Sequence, residues 1–180
     1  MPLMDLMAEL EAMARDALAF VEAHKAWAPY IAFILAFGES IAVLSLLFPA
    51  TVVLIGMGPL IEGGGIAFLP VWFGAVLGTT IGDALSFWVG HHFKDRVRHF
   101  WPLSRHPNMV ERGEAFFHRF GAWSVFLGRF FGPLRAIVPL IAGTFGMKNW
   151  LFQTANIASA LLWAFVLLAP GAAAVKTLGW

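Results

Sequence analysis

Residues 128–143 read GRFFGPLRAIVPLIAG. This stretch places two arginines, Arg129 and Arg135, inside an otherwise apolar run that covers 121–145. Gly132 and Pro133 lie between them, and Pro139 follows. Pro133 removes a backbone donor and disfavours the helical conformation at Gly132, so one straight helix is not expected here. A membrane tolerates broken backbone only where protein or a water-filled cavity covers it. Intramembrane arginines are costly enough to be functional-site candidates by default. The stretch therefore predicts a half-helix pair lining a polar site, in the manner of transporters.

Composition points the same way. Hydrophobic residues make up 59% of the 180, only 13% are charged, and the mean hydropathy is +0.75. That is far from the average of soluble domains, and the length suits one membrane domain. Cysteine is absent, which removes disulfides, thiol nucleophiles and Cys-based metal sites. The N-terminus lacks a basic region leading into an apolar core, so no cleaved signal peptide is expected. The basic residues follow membrane topology rather than a nucleic-acid motif. Lys94, Arg96, Arg98, Arg105, Arg112 and Arg119 are half of all Lys and Arg, and they put loop 91–119 in the cytoplasm by the positive-inside rule. The same loop holds His91, His92, His99, His106 and His118. No HExxH or paired-carboxylate spacing accompanies them, so solvated interfacial histidines are expected and no metal or other cofactor. A short amphipathic helix over 107–120 is expected at the membrane surface.

Taken from the start, residues 2–24 predict an amphipathic helix. Leu3, Leu6, Met7, Leu10, Met13, Leu18 and Val21 recur at helical spacing, and Asp5, Glu9, Asp16 and Glu22 occupy the other face. That acidic face favours packing or partner contact over attraction to anionic lipid. The run 27–48 is apolar and long enough to span, with Glu39 near its middle. Pro49, Ala50 and Thr51 break it, and the remnant 52–61 is too short to cross alone, since spanning takes at least ~17 residues. A re-entrant hairpin over about 27–62 fits better than two full spans. Residues 66–90 predict the cleanest transmembrane helix, with Gly74, Gly78 and Gly82 forming a face for close helix contact. Asp83 lies in its second half, one turn after Thr79 and Thr80. A second hairpin follows at about 120–146 and a final span at about 150–175, carrying Asn156 and Trp163.

The predicted fold is thus an all-α membrane protein: an N-terminal amphipathic helix (1–26) and a membrane domain (27–180). Transmembrane helices there combine with two opposed re-entrant, broken-helix hairpins in a pseudo-inverted repeat. A weak internal echo supports the repeat: Phe37-Gly38 precedes an apolar run to Phe48-Pro49, and Phe120-Gly121 precedes one to Gly132-Pro133.

Inside the apolar segments lie two acids, Glu39 and Asp83, and two bases, Arg129 and Arg135. The set is formally neutral, which suits mutual pairing in a membrane. One reading makes all four structural ion pairs. The functional reading gives Arg129 and Arg135 an anionic headgroup, because a guanidinium presents a planar fork of donors matched to phosphate. It gives Glu39 and Asp83 a proton, because low dielectric favours the neutral form of a carboxyl group. Pro49, Thr51, Gly132, Pro133 and Asn156 would shape the breaks and line the cavity.

The sequence resembles the DedA family, the bacterial branch of proteins with a SNARE-associated or VTT domain, over about residues 30–174. The most specific part is GRFFGPLRAIVPLIAGTFGM, where Gly128, Arg129, Phe130, Pro133, Arg135, Ala142, Gly143 and Met147 carry the family pattern. Gly82, Asp83, Phe87, Gly90, Phe152, Asn156, Trp163 and Glu39 add to it. The chain departs where the family often has Pro-Gly-Glu or Pro-Ser-Glu: it has Pro49, Ala50 and Thr51, so a second hairpin acid is missing.

What the resemblance implies is a multi-pass protein of the bacterial inner membrane that moves lipids between leaflets. The implied activity is an undecaprenyl phosphate flippase or a phospholipid scramblase, coupled to the proton-motive force. The expected partners are an anionic lipid headgroup, protons and the bilayer, with a homodimer admissible. The competing readings are a proton-coupled small-ion antiporter and a membrane scaffold. An enzyme is not expected, since no nucleophile with an adjacent base and no phosphatase-type Lys, Arg and His set is present.

Overall fold

The computed structural model describes residues 2–41, 50–93, 117, 119–131 and 134–178. Pro49, Gly132 and Pro133 lie outside these residues, as do most of loop 91–119 and of the expected helix 107–120. The described residues are all-helical. Seven α-helices follow in chain order: α1 (Pro2–Ala23), α2 (Ala28–Glu39), α3 (Ala50–Glu62), α4 (Phe68–His92), α5 (Ala122–Gly128), α6 (Leu134–Thr144) and α7 (Asn149–Leu178). A 3₁₀ turn, Lys25–Trp27, joins α1 to α2.

Two of these helices are long and apolar enough to cross a bilayer. They are Phe68–His92, with mean hydropathy 1.4, and the Asn149–Ala173 portion of α7, with 1.7. Each has 25 residues, or about 37 Å at 1.5 Å per residue, against about 30 Å of hydrocarbon. The segments between them are shorter. Residues 27–48 do not form the expected long helix in their described part, because α2 stops at Glu39 after 12 residues. Ser40 follows as a turn residue, and its hydroxyl returns to the Ala36 carbonyl at 3.0 Å. Such back-bonding competes with helix continuation. The break at 128–134 falls where the proline was expected to put it: α5 ends at Gly128 and α6 begins at Leu134.

Contacts fix the relative directions. Phe68 meets Phe165 edge-on, the Trp72 indole donates to the Leu161 carbonyl at 3.2 Å, and Phe87 stacks on Phe152 at 4.2 Å. Position numbers rise on α4 as they fall on α7, so the two long helices are antiparallel. The α4 glycines behave as their spacing predicted. A Cβ on Gly74, Gly78 or Gly82 would run into the backbone of Pro29, Phe33 or Phe37, so α2 lies parallel to α4 at backbone contact. Gly90 meets Leu140 and Gly143 meets Phe87, so α6 lies antiparallel to α4. Helix α3 packs on α7, where Gly58 faces Leu168 and Gly171, and α5 also packs on α7. The arrangement is reciprocal. The first short arm of each half rests on the long helix that follows it, and the second arm rests on the other long helix.

Helix α1 packs on α3. Val21 is fully buried, and Leu18 fills the space above Gly56. Outward-facing positions are apolar as well: Leu69, Phe73, Leu77, Ile81, Leu85 and Trp88 form an exposed stripe along α4. A continuous stripe of this kind suits acyl chains rather than water. The echoed pairs do not occupy equivalent places. Gly38 lies within the last turn of α2, whereas Gly121 precedes α5 with φ +53°.

Candidate functional site

Four elements deliver polar side chains to the middle of the molecule. Helix α4 supplies Thr79, Asp83 and Ser86, at i, i+4 and i+7 on one face, and α7 supplies Asn156, Ser159 and Trp163 at matching spacing. The end of α2 brings Glu39 and Ser40. The interruption after α5 brings Arg129, and the first turn of α6 brings Arg135.

Arg129 is 6% exposed and forms an ion pair with Asp83, itself 4% exposed. Its Nε donates to Ser159 Oγ at 2.8 Å, Nη1 to Thr79 Oγ1 at 2.7 Å, and Nη2 to Asn156 Oδ1 at 2.5 Å. Asn156 is completely buried and sends its amide on to the Thr80 carbonyl at 3.1 Å. The hydroxyls order themselves around the arginine. Thr79 accepts from Arg129 and stands 2.8 Å from Ser40 Oγ, which is already committed as donor to Ala36. Thr79 is therefore the donor to Ser40. Ser159 likewise accepts from Arg129 and donates to the Asn156 carbonyl at 3.0 Å. Ser86 adds a bond to the Ser40 carbonyl at 3.2 Å. Four donor directions of Arg129 are thus occupied by fixed acceptors, which is what a buried charge needs.

The second pair is differently built. Arg135, in the first turn of α6, meets Glu39, at the end of α2; their side chains are 13% and 10% exposed. The guanidinium also lies 4.9 Å above the Trp163 ring, a cation–π contact. Thr51, in the first turn of α3, donates to the same carboxylate oxygen that Arg135 contacts, Glu39 Oε1. The other oxygen, Oε2, is buried and has no partner among the described residues.

The four charges expected from sequence therefore pair as two salt bridges, Arg129 with Asp83 and Arg135 with Glu39. Thr51 and Asn156 join them, one through Glu39 and the other through Arg129. Sequence reading missed Ser40 and Ser159 and gave Thr79 no role. A hydroxyl in an apolar helix carries little local signal until its neighbour on another helix is known.

Known proteins resemble this chain over most of its length. The VTT domain family profile matches residues 48–173. The inner membrane protein YabI of Escherichia coli is 34% identical over 138 residues, covering 77% of this chain and 54% of the relative. The uncharacterized membrane protein Rv2637 of Mycobacterium tuberculosis is 32% identical over 127 residues, 67% of this chain and 58% of the relative. The inner membrane protein YqjA of E. coli is 28% identical over 152 residues, 82% and 68% of the two chains. The chain thus spans about half the length of YabI, and no solved structure gives a significant match. Two apolar helices of membrane-spanning length and a profile match over most of the sequence agree: the chain belongs to the VTT-domain (DedA) family of membrane proteins, whose E. coli relatives are inner membrane proteins.

Proposed function

We propose that this protein moves a phosphate-bearing lipid, undecaprenyl phosphate or a phospholipid, between leaflets, with proton coupling through Glu39. The observation that carries the reading is the Arg135/Glu39 pair. It joins the ends of two short helical arms from opposite halves of the chain, and Glu39 Oε2 is left buried without a described partner. An unsatisfied buried carboxylate oxygen is costly, and a proton or a bound group relieves that cost.

The two arginines divide the work on this reading. Arg129 is saturated by Asp83, Thr79, Asn156 and Ser159, so it clasps α4 and α7 around the break. Arg135 has one carboxylate and one aromatic face, so its fork can exchange Glu39 for a lipid phosphate. Protonation of Glu39 releases Arg135 to the headgroup, and departure of the lipid together with loss of that proton from Glu39 restores the pair. Asp83 then belongs to the clasp more than to the coupling step.

Two opposed re-entrant hairpins support an alternating pathway. The reciprocal packing of α2, α3, α5 and α6 on the antiparallel α4 and α7 supports that architecture. So do lengths of 12 residues for α2 and 11 for α6, each about half a bilayer at 1.5 Å per residue.

The test is transbilayer lipid movement in proteoliposomes. Wild type is compared with Arg135→Ala and Glu39→Gln, using phospholipid and undecaprenyl phosphate, with and without a pH gradient. Movement of one lipid that both substitutions abolish in folded protein supports the reading. Movement of neither lipid by folded wild type rejects it and leaves small-ion exchange as the better account.

A further inference from the structure

The α4 N-terminal end carries a second feature, well away from the paired charges. A cleft of about 300 Å³ opens there, lined by Lys25, Pro29, Gly65, Ile66, Ala67 and Pro70. Its walls come from the 3₁₀ turn, the start of α2 and the turn that leads into α4. Among the described residues Lys25 is the only charged one in the lining. Its Nζ reaches over Gly65, coming to 4.0 Å of where a Cβ would lie. Gly65 has φ +69°, the left-handed region that glycine adopts without strain. The Lys25 backbone carbonyl accepts from the Ala28 N–H, but no hydrogen bond or ion pair joins the Lys25 ammonium to any described residue. Glu22, three positions before it, is exposed and makes no ion pair with it.

The surroundings say what kind of anion fits. Trp27 and Tyr30, 59% and 65% exposed, follow Lys25 in sequence, and their ring centroids lie 5.9 Å apart. Amphipathic rings of this kind concentrate at the membrane–water boundary. Ile34 on α2 and Leu69 and Phe73 on α4 continue outward-facing and apolar away from the cleft. A cation at the boundary above an apolar helix surface matches a phosphate with acyl chains below it. A soluble anion would use the lysine and leave the apolar wall idle.

We propose that this cleft is an interfacial site for an anionic phospholipid, with Lys25 contacting the headgroup phosphate and the acyl chains lying along α2 and α4. The site stands apart from Arg135 and Glu39, and it does not depend on whether the protein transports lipid.

The experiment is lipid retention by the full chain in detergent, measured by native mass spectrometry. The probes are phosphatidylglycerol, phosphatidylcholine and inorganic phosphate as competitor. One interfacial lysine predicts about a fivefold loss of phosphatidylglycerol affinity in Lys25→Ala, recovery in Lys25→Arg, and little change for phosphatidylcholine. Ala26 also lines the cleft, so Ala26→Trp, which crowds it while keeping the lysine, should lower retention as well, and it serves if Lys25→Ala does not fold. The same titrations in an Arg135→Ala background keep the two sites separate. Unchanged phosphatidylglycerol retention in folded Lys25→Ala or Ala26→Trp overturns the proposal. So does a loss confined to Arg135→Ala, which would leave the transport reading standing. Full competition by inorganic phosphate overturns the lipid as occupant.

Discussion

Replacing Asp83 by alanine asks whether Arg129 is a structural clasp. After the substitution Arg129 keeps Ser159, Thr79 and Asn156 as neutral acceptors but loses its only described counter-charge. Leaving one buried partner of an ion pair uncompensated costs about 3–5 kcal/mol. Arg129→Ala strands Asp83 in the same way and also removes three neutral hydrogen bonds. At about 0.6 kcal/mol each inside a membrane protein, these add about 2 kcal/mol. The double variant Asp83→Ala/Arg129→Ala has no stranded charge, so only the loss of hydrogen bonds and packing remains. It should therefore be more stable than Arg129→Ala alone, with a coupling energy of about 3 kcal/mol or more. The assay is equilibrium unfolding in mixed detergent micelles followed by circular dichroism. Free energies that add to within about 0.5 kcal/mol, as they do for independent sites, would refute the clasp.

Further expectations concern the second pair and the helix contacts. Arg135→Lys keeps the charge but gives up the planar fork and the stack on Trp163; lipid movement should fall at least tenfold while the melting temperature stays near wild type, measured on one preparation. In Glu39→Gln any remaining movement should no longer respond to an imposed pH gradient, and a retained response would remove Glu39 from the coupling step. Gly78→Val pushes a side chain into the Phe33 backbone and should destabilise by about 1–3 kcal/mol. Gly38→Ala, with nothing within 4 Å of the added Cβ, should stay within about 0.5 kcal/mol of wild type. Equal melting temperatures for these two glycine variants would contradict the close approach of α2 to α4.

Much of this architecture was legible in sequence because it is written locally. Proline and glycine mark the interruption between α5 and α6 whatever packs around it. The four-residue spacing of Gly74, Gly78 and Gly82 gave a contact face before the partner, α2, was known. The amphipathic period of residues 2–24 likewise gave α1. The premature end of α2 was not legible, because the run 27–48 is apolar on both sides of Glu39 and Ser40 and the Ser40 hydroxyl only stands out once Thr79 is opposite. The echo between the halves does not fall at equivalent places in the described residues, since Gly38 lies in the last turn of α2 and Gly121 precedes α5.

The sequence by itself determined the class of molecule, the long helices, the interrupted segments and the presence of two acids and two bases in apolar surroundings. Periodicity, composition and backbone chemistry act over a few residues, so they can be read along the chain. Tertiary structure alone decided the pairings. It gave Arg129 to Asp83 and Arg135 to Glu39, and it surrounded the first arginine with Thr79, Asn156 and Ser159 while leaving the second beside Trp163. Those choices depend on the register between helices far apart in the chain. A shift of one residue along α4 or α7 would turn each partner about 100° away from the site.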